Sequence, residues 1–294
     1  MSSCTNKHVD SVEDKGVEYV DVLRHILDTQ DKWVKVHAAE FLIWQQQDSA
    51  YVREVFLKEA KLYDTVPQYR VGIWRVLAQA ATDQEERKRY IEKIHNAYQQ
   101  GPDQLHALET LAKLKEPIRV DHSSLDTMLL KNKEVNSTVI YGLWNQFYNP
   151  QVPRVDLFNR LLSILKDEQE QDVHKILLSY VFRFLALSPS EEEQLLAINY
   201  QAFPEPVQLQ FLATLLSNVD LDANQYATAK LNLLKLESIA NYYPTAILAL
   251  SHKQHAENAE LIATYYKMIA DSSRADYQVD HLATAAYAYL NFLQ

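Results

Sequence analysis

Hydrophobic residues recur along almost the whole chain at the three- and four-residue spacing of amphipathic helices. Near the start, Val17, Val20, Leu23, Ile26 and Leu27 fall on one helical face. No stretch shows the two-residue alternation of a half-buried strand, and even the Val- and Tyr-rich stretches keep the helical period. The pattern therefore predicts an all-α protein in which short loops join successive helices.

Polar breaks, prolines and glycines divide this pattern into sixteen predicted helices, which we group into eight pairs. The predicted helices cover residues 17–30, 31–47, 49–64, 67–81, 83–100, 103–115, 123–131, 134–148, 154–167, 172–187, 190–202, 206–218, 222–237, 239–251, 255–270 and 277–293. Ser190 and Glu193 have the spacing of a capping box. The eight pairs average about 35 residues each, which is typical of stacked helical repeats.

One helical phrase occurs three times in the first half of the chain. Its copies are WVKVHAAEFLIW at residues 33–44, QYRVGIWRVLAQA at 68–80 and LHALETLAKL at 105–114. Alignment of the copies, at offsets of 35 and 34 residues, places His37, Gly72 and His106 in one column and Glu40, Arg75 and Glu109 in another. Self-similarity at this period predicts a stacked-repeat architecture.

These copies resemble HEAT-like repeats of the short type found in bacterial proteins. The resemblance covers residues 31–115 and rests on Val34-x-Val36-x-Ala38-Ala39-x-x-Leu42 and Tyr69-Arg70-Val71-x-x-Trp74-Arg75-x-Leu77-Ala78. It implies an α-solenoid over residues 17–294, a superhelix of about eight antiparallel helical hairpins. Residues 1–16 are polar and lack helical periodicity, which is typical of a disordered tail or tether. The family's usual role is binding or scaffolding.

Composition and charge make several classes of partner and cofactor improbable. The formal net charge is −10 and no Lys/Arg stripe is present, so neither nucleic acid nor an anionic membrane surface is an expected partner. The chain has four glycines and no phosphate-binding loop motif. No cofactor is therefore predicted. No apolar run approaches the roughly 18 residues that a membrane-spanning helix requires.

The single cysteine, Cys4, follows small residues, as the lipidated cysteine of a bacterial lipoprotein does. Met-Ser-Ser-Cys-Thr resembles the end of such a signal, although neither a charged nor an apolar region precedes it here. Two interpretations stay open. One is a cell-envelope protein anchored to the membrane by lipid on Cys4, and the other is a cytoplasmic protein with an ordinary disordered amino terminus.

The second helices of the first three repeats are expected to present a polar stripe. The candidate ligand-binding residues on this surface are Trp33, His37, Glu40, Tyr69, Arg70, Arg75, His106, Glu109 and Lys113. Because stacked helices lie about 8–10 Å apart, Arg75 is within reach of both Glu40 and Glu109. The three side chains predict an acid–Arg–acid ladder, which either holds the repeats in register or also recognises a ligand.

A metal site on this stripe is not predicted. His37 and His106 are two repeats apart, so their expected separation is about 16–20 Å. Metal–nitrogen bonds are about 2 Å long, and His37 with Glu40 supplies too few ligands alone.

The sequence favours a non-enzymatic binding or scaffold module, whose ligand along this stripe is a protein, a peptide or a glycan. Aromatic and arginine side chains dominate binding hot spots, and the first three repeats are rich in both. The alternative is a carbohydrate-active enzyme in which the hairpins close into an α/α toroid. Such an enzyme needs two carboxylates about 5–10 Å apart, whereas Glu40 and Glu109 are expected to lie about twice as far apart. No catalytic residue is assigned.

Overall fold

The chain folds into α-helices joined by short loops. The computed structural model describes residues 12–120, 122–130, 134–236, 239–253, 255–271 and 276–293. These ranges contain sixteen α-helices and no strand, which confirms the all-α prediction. The helices are α1 (Val12–Thr29), α2 (Lys32–Trp44), α3 (Ser49–Tyr63), α4 (Tyr69–Gln79), α5 (Gln84–Gln100), α6 (Gln104–Lys113), α7 (His122–Leu129), α8 (Ser137–Gln146), α9 (Arg154–Lys166), α10 (Asp172–Phe182), α11 (Pro189–Leu196), α12 (Glu205–Asn218), α13 (Ala223–Leu234), α14 (Ile239–Ser251), α15 (Ala259–Ala270) and α16 (Asp276–Leu293).

Helices α1 and α11 are among those that start earlier than the sequence pattern indicates. Helix α1 begins at Val12, inside the stretch expected to be a tail. Helix α11 is capped by Ser188 and Glu191, so the capping box predicted at Ser190 is wrong. The backbone N–H of Ser188 donates to Glu191 Oε2 at 2.7 Å, and Pro189 occupies the first turn. Proline is favoured there because its fixed φ suits the helix and it has no N–H to satisfy.

The even-numbered helices form a continuous inner layer. Each of them contacts the next one, from α2 through α16. Their C-terminal ends meet at one end of the molecule: Trp44 Nε1 donates to Gln79 Oε1 at 2.8 Å, and Asn218 Nδ2 donates to the Leu185 carbonyl at 2.8 Å. The helices of these two contacting pairs, α2 with α4 and α10 with α12, therefore run parallel, and odd-numbered helices pack against the inner layer.

The last helix packs against the first hairpin. Helix α16 contacts α1, α2, α14 and α15. The ring of Tyr19 stacks on Tyr289 with centroids 4.3 Å apart, and Phe41 stacks on Tyr287 at 4.5 Å. Residues of α1 to α6 and of α14 to α16 share one hydrophobic core. The two ends of the described helix series are thus joined through buried aromatic contacts.

Candidate functional site

The predicted ion pair between Glu40 and Arg75 forms, but it lies in the interior rather than along an exposed groove. Arg75 Nε and Nη2 each donate to a carboxylate oxygen of Glu40 at 2.7 Å. Glu40 is 4% exposed and Arg75 is 2% exposed. Burial raises the pKa of Glu40, but the charge and hydrogen bonds of Arg75 outweigh burial and lower it. Both groups are therefore charged at neutral pH.

Glu109 does not complete the ladder by bonding to Arg75. Its Oε1 accepts from Lys113 Nζ at 2.8 Å. Burial raises the pKa of Glu109, while Lys113 and then Arg75 lower it, and the net effect is a lowered pKa. The bidentate fork of Arg75 is already committed to Glu40, and Lys113 lies one helical turn from Glu109 on α6. The predicted ladder is therefore two ion pairs, one between Glu40 and Arg75 and the other between Glu109 and Lys113.

Trp33 of α2 contacts His106 of α6. The two ring centroids lie 4.8 Å apart in an edge-to-face arrangement. Helix α4, which contacts both α2 and α6, carries Gly72, where an added Cβ would lie 3.2 Å from Val36 Cγ2 and 3.5 Å from Trp33 Cζ3. The absence of a side chain at Gly72 thus leaves the space that the indole occupies.

The imidazole of His106 should make the protein less stable in acid. Burial lowers the pKa of His106 to about 4 from an ordinary value of 6.5. Because the unfolded chain takes up this proton first, the stabilisation is complete above pH 6.5 and is lost as the pH falls toward 4. We expect on the order of 2 kcal/mol to be lost over this window.

Urea unfolding at pH 7 and at pH 4.5 should show a smaller loss in His106→Gln than in the wild type. An NMR titration should place the midpoint of His106 well below that of an ordinary imidazole. Equal losses in the two proteins would contradict the assignment.

The remaining predicted residues lie outside this cluster. The Tyr69 hydroxyl donates to Glu59, which also pairs with Lys35 at 2.8 Å. Arg70 makes two 2.9 Å hydrogen bonds to Asp103 near the start of α6. The Tyr69 contact joins α4 to α3, whereas the Lys35 contact joins α2 to α3 and the Arg70 contact joins α4 to the start of α6. His37 Nδ1 lies 2.7 Å from Asp280 Oδ1 on α16, and Cys4 lies outside the described residues.

The ion pairs continue into residues that the repeat pattern did not reveal. Lys113 Nζ lies 5.6 Å from the centroid of the Tyr180 ring, and Arg183 Cζ lies 5.8 Å from the same centroid. Arg183 Nη2 donates to Gln210 on α12. We call the whole set the central polar network, and its members are Glu40, Arg75, Gln79, Glu109, Lys113, Tyr180, Arg183 and Gln210. It extends from α2 to α12, with members on or directly after α2, α4, α6, α10 and α12.

The charges of this network are balanced except at Arg183. No carboxylate of the described residues forms a salt bridge with Arg183, and its Nε is buried without a hydrogen-bond partner. Burial lowers the pKa of Arg183 to about 10, so the guanidinium stays charged at neutral pH. Burial also lowers the pKa of His252, and the charge of Arg183 lowers it further. One uncompensated positive charge is therefore held close to a neutral imidazole.

This cation lies at the end of the molecule where the inner helices terminate. Arg183 follows α10 directly, and Phe184 beside it is 40% exposed. The Phe184 ring also contacts Tyr180 and Trp144, with centroids 4.8 and 5.4 Å away. Trp44, at the C-terminal end of α2, is 46% exposed. The same end thus offers a cation together with accessible aromatic surface.

Comparisons with protein families, with characterised proteins and with solved structures found no match for this chain. Within the described residues, no group of three or more His, Cys, Asp or Glu side chains has an arrangement that would hold a metal ion. Of the helices described, none is both long and apolar enough to cross a bilayer. The function is therefore argued from the geometry of the central polar network.

Proposed function

We propose that this protein is a non-catalytic binding protein that holds an anionic ligand at the C-terminal ends of its inner helices. Its architecture would be a closed ring of eight helical hairpins, and the contacts of α16 with α1 and α2 support this closure over an open superhelix. The HEAT-like phrase of the first three repeats would then build part of the ring. The binding surface would lie at the end of the ring, not along the stripe.

The observation that carries this proposal is the unpaired guanidinium of Arg183. Arg183 is partly exposed, but its Nε–H is buried without an acceptor. A buried donor without an acceptor is unfavourable, and every other charge in the central polar network has a counter-charge close by. A structural role alone gives no reason to keep such a cation. An anionic group on a ligand would satisfy both the charge and the free Nε–H of Arg183.

The surrounding side chains favour an acidic peptide segment of a protein partner. Arginine, tyrosine and tryptophan are the residue types that dominate protein-binding hot spots, and Arg183, Tyr180 and Trp44 all lie at this end. The exposed ring of Phe184 would contact the apolar part of such a segment. An acidic glycan would offer the same negative groups, so it serves as a second ligand in the test.

Replacing Arg183 with glutamine should weaken binding of a fluorescent deca-glutamate peptide by at least about ten-fold, because a charge-assisted contact is lost. Fluorescence anisotropy would measure the affinity, with deca-lysine as the probe that should not bind. The melting temperature should stay constant or rise, because the variant no longer holds an unpaired charge with an unsatisfied Nε–H.

Arg89→Gln provides the matched control, because Arg89 is an exposed arginine on the outer helix α5. Equal affinities of the two variants, or no binding of any anionic probe, would contradict the proposal. Binding of oligogalacturonate but not of the peptide would identify a glycan as the ligand class.

A carbohydrate-active toroid enzyme is the second candidate, and the closing contacts of α16 favour it as a fold. Its chemistry requires two available carboxylates. In the central polar network, Glu40 is bonded to Arg75 and Glu109 to Lys113. Glycan hydrolysis that is lost in Glu109→Gln but retained in Glu168→Gln would favour the enzyme over the binding protein.

A further inference from the structure

A separate pocket lies on the outer side of the molecule, between α9, the loop before α10 and the segment before α8. Its volume is about 720 Å³, which is in the range of small-molecule sites. Arg160 of α9 lines it, as do Glu134, Asp167 and Glu170. Because α10 is eleven residues long, about 16 Å of helix separates this loop from Arg183. The pocket is therefore distinct from the central polar network.

The guanidinium of Arg160 is buried and only partly satisfied. Arg160 is 5% exposed. Its Nε donates to the Met128 carbonyl at 3.3 Å, whereas its Nη2 is buried without a hydrogen-bond partner. A buried donor without an acceptor is destabilising by about 1–3 kcal/mol. The free N–H groups at Nη2 therefore mark a place where a ligand acceptor would be favoured.

The charges of the residues that line the pocket restrict which kind of ligand group can bind to Arg160. Three carboxylates, of Glu134, Asp167 and Glu170, line the pocket against two cations, Arg160 and Lys166. Glu170 is engaged by His174, whose Nδ1 lies 2.7 Å from its Oε1. The negative balance would repel a compact polyanion such as phosphate. The pocket would instead bind a ligand that has one carboxylate to accept from Arg160 and hydrogen-bond donors to bind the carboxylates of Glu134 and Asp167.

We propose that this pocket binds a small carboxylate that also carries hydroxyl or ammonium groups. The carboxylate would accept from Arg160 Nη2, and the hydroxyl or ammonium groups would donate to Glu134 and Asp167. A sugar acid and an amino acid both have this chemistry, and separate probes distinguish them. This site does not depend on the proposed role of Arg183.

Isothermal titration calorimetry of the full chain with D-galacturonate, L-glutamine, acetate and inorganic phosphate tests the proposal. We expect one of the first two probes to bind saturably and at least about ten-fold more tightly than acetate, which lacks the donors. Phosphate should not bind. Galacturonate binding would assign a sugar acid, and glutamine binding would assign an amino acid.

Two substitutions locate the binding. Arg160→Met should weaken it by at least about ten-fold, because a charge-assisted hydrogen bond is lost. Glu134→Gln should weaken it by about three- to five-fold, whereas Glu168→Gln should leave it unchanged, because Glu168 is an exposed neighbour that does not line the pocket. The Glu134 and Glu168 pair, both exposed, keeps the test valid if Arg160→Met fails to fold.

Three results would overturn the proposal. If a water molecule is all that Arg160 Nη2 binds, none of the probes will saturate below about 10 mM. If acetate and phosphate bind as well as the other probes, the pocket is a nonspecific anion site. If Glu134→Gln and Glu168→Gln have equal affinities, the bound probe occupies another place. None of these results bears on the peptide binding predicted for Arg183.

Discussion

Replacing Arg75 with methionine is expected to lower the free energy of unfolding by about 3–5 kcal/mol, because the Glu40 carboxylate is left buried without its partner. Removal of one member of a buried pair is more harmful than removal of both. The double variant Arg75→Met with Glu40→Leu should therefore recover most of the loss. Urea unfolding at pH 7 measures both effects, and a double-mutant cycle gives the coupling between Arg75 and Glu40.

Substitutions of Glu40, Arg75 and Glu109 should lower the free energy of unfolding by different amounts. Glu40→Gln should be less harmful than Arg75→Met, and Glu109→Gln the least harmful, because Lys113 is partly exposed and regains hydration. Arg89→Met is the matched control on the surface and should stay within about 0.5 kcal/mol of the wild type. Equal losses in Arg75→Met and Arg89→Met would refute a buried structural pair.

The contribution of Glu40 to the free energy of unfolding should depend on pH with opposite signs in the wild type and in Arg75→Met. In the wild type the pKa of Glu40 is lowered from 4.5. Its pair therefore stabilises the fold above pH 4.5 and loses that effect as the pH falls through the folded-state pKa. In Arg75→Met, burial without a partner raises the pKa of Glu40, so protonation on acidification relieves the penalty. The stability gap between the two proteins should narrow from pH 7 toward pH 4.

Replacing Leu282 with aspartate should lower the free energy of unfolding by more than about 4 kcal/mol, because an unpaired carboxylate enters the core of α16. Leu282 is buried in the core that joins the first three hairpins to the last two. Leu282→Asp should therefore destabilise helices near both ends of the chain. Hydrogen exchange should show lower protection in α1 and α2 as well as in α14 to α16.

Met268→Asp is the control for this experiment, because Met268 is an exposed hydrophobic residue of the neighbouring helix α15. It should change neither stability nor exchange in α1 and α2. An open array predicts a different pattern, in which Leu282→Asp affects only the last repeats. Unchanged protection of α1 and α2 in Leu282→Asp would therefore contradict a closed ring.

The repeated phrase made the ion pair predictable before the structure was known. Glu40 and Arg75 occupy one column of the aligned phrase, and neighbouring helices lie close enough for such a pair. The stripe as a whole was not predictable in the same way. Tyr69 and Arg70 lie on α4 too, but their side chains bond to Glu59 and Asp103 instead. The helical register predicts on which face of a helix a residue lies, but not which residue of a neighbouring helix its side chain will reach.

The residues at Tyr180, Arg183 and Gln210 were missed because the phrase fades after residue 115. Without aligned copies, the columns of the first three repeats could not be extended into α10 and α12. A signal was nevertheless present, because Tyr180, Arg183 and Phe184 place a cation between aromatic residues at the end of a predicted second helix. Sequence could not show that no carboxylate lies near Arg183, because that depends on five packed helices.

The amino-acid sequence by itself determined the helical class of this protein and the order and approximate positions of its described helices, because amphipathic spacing, caps and prolines act over a few residues. The tertiary structure alone decided which polar side chains are buried. It also decided that α16 packs on α1 and α2, and that Arg183 and Arg160 keep unsatisfied donors. These features depend on contacts between residues far apart in the chain, which local periodicity does not encode.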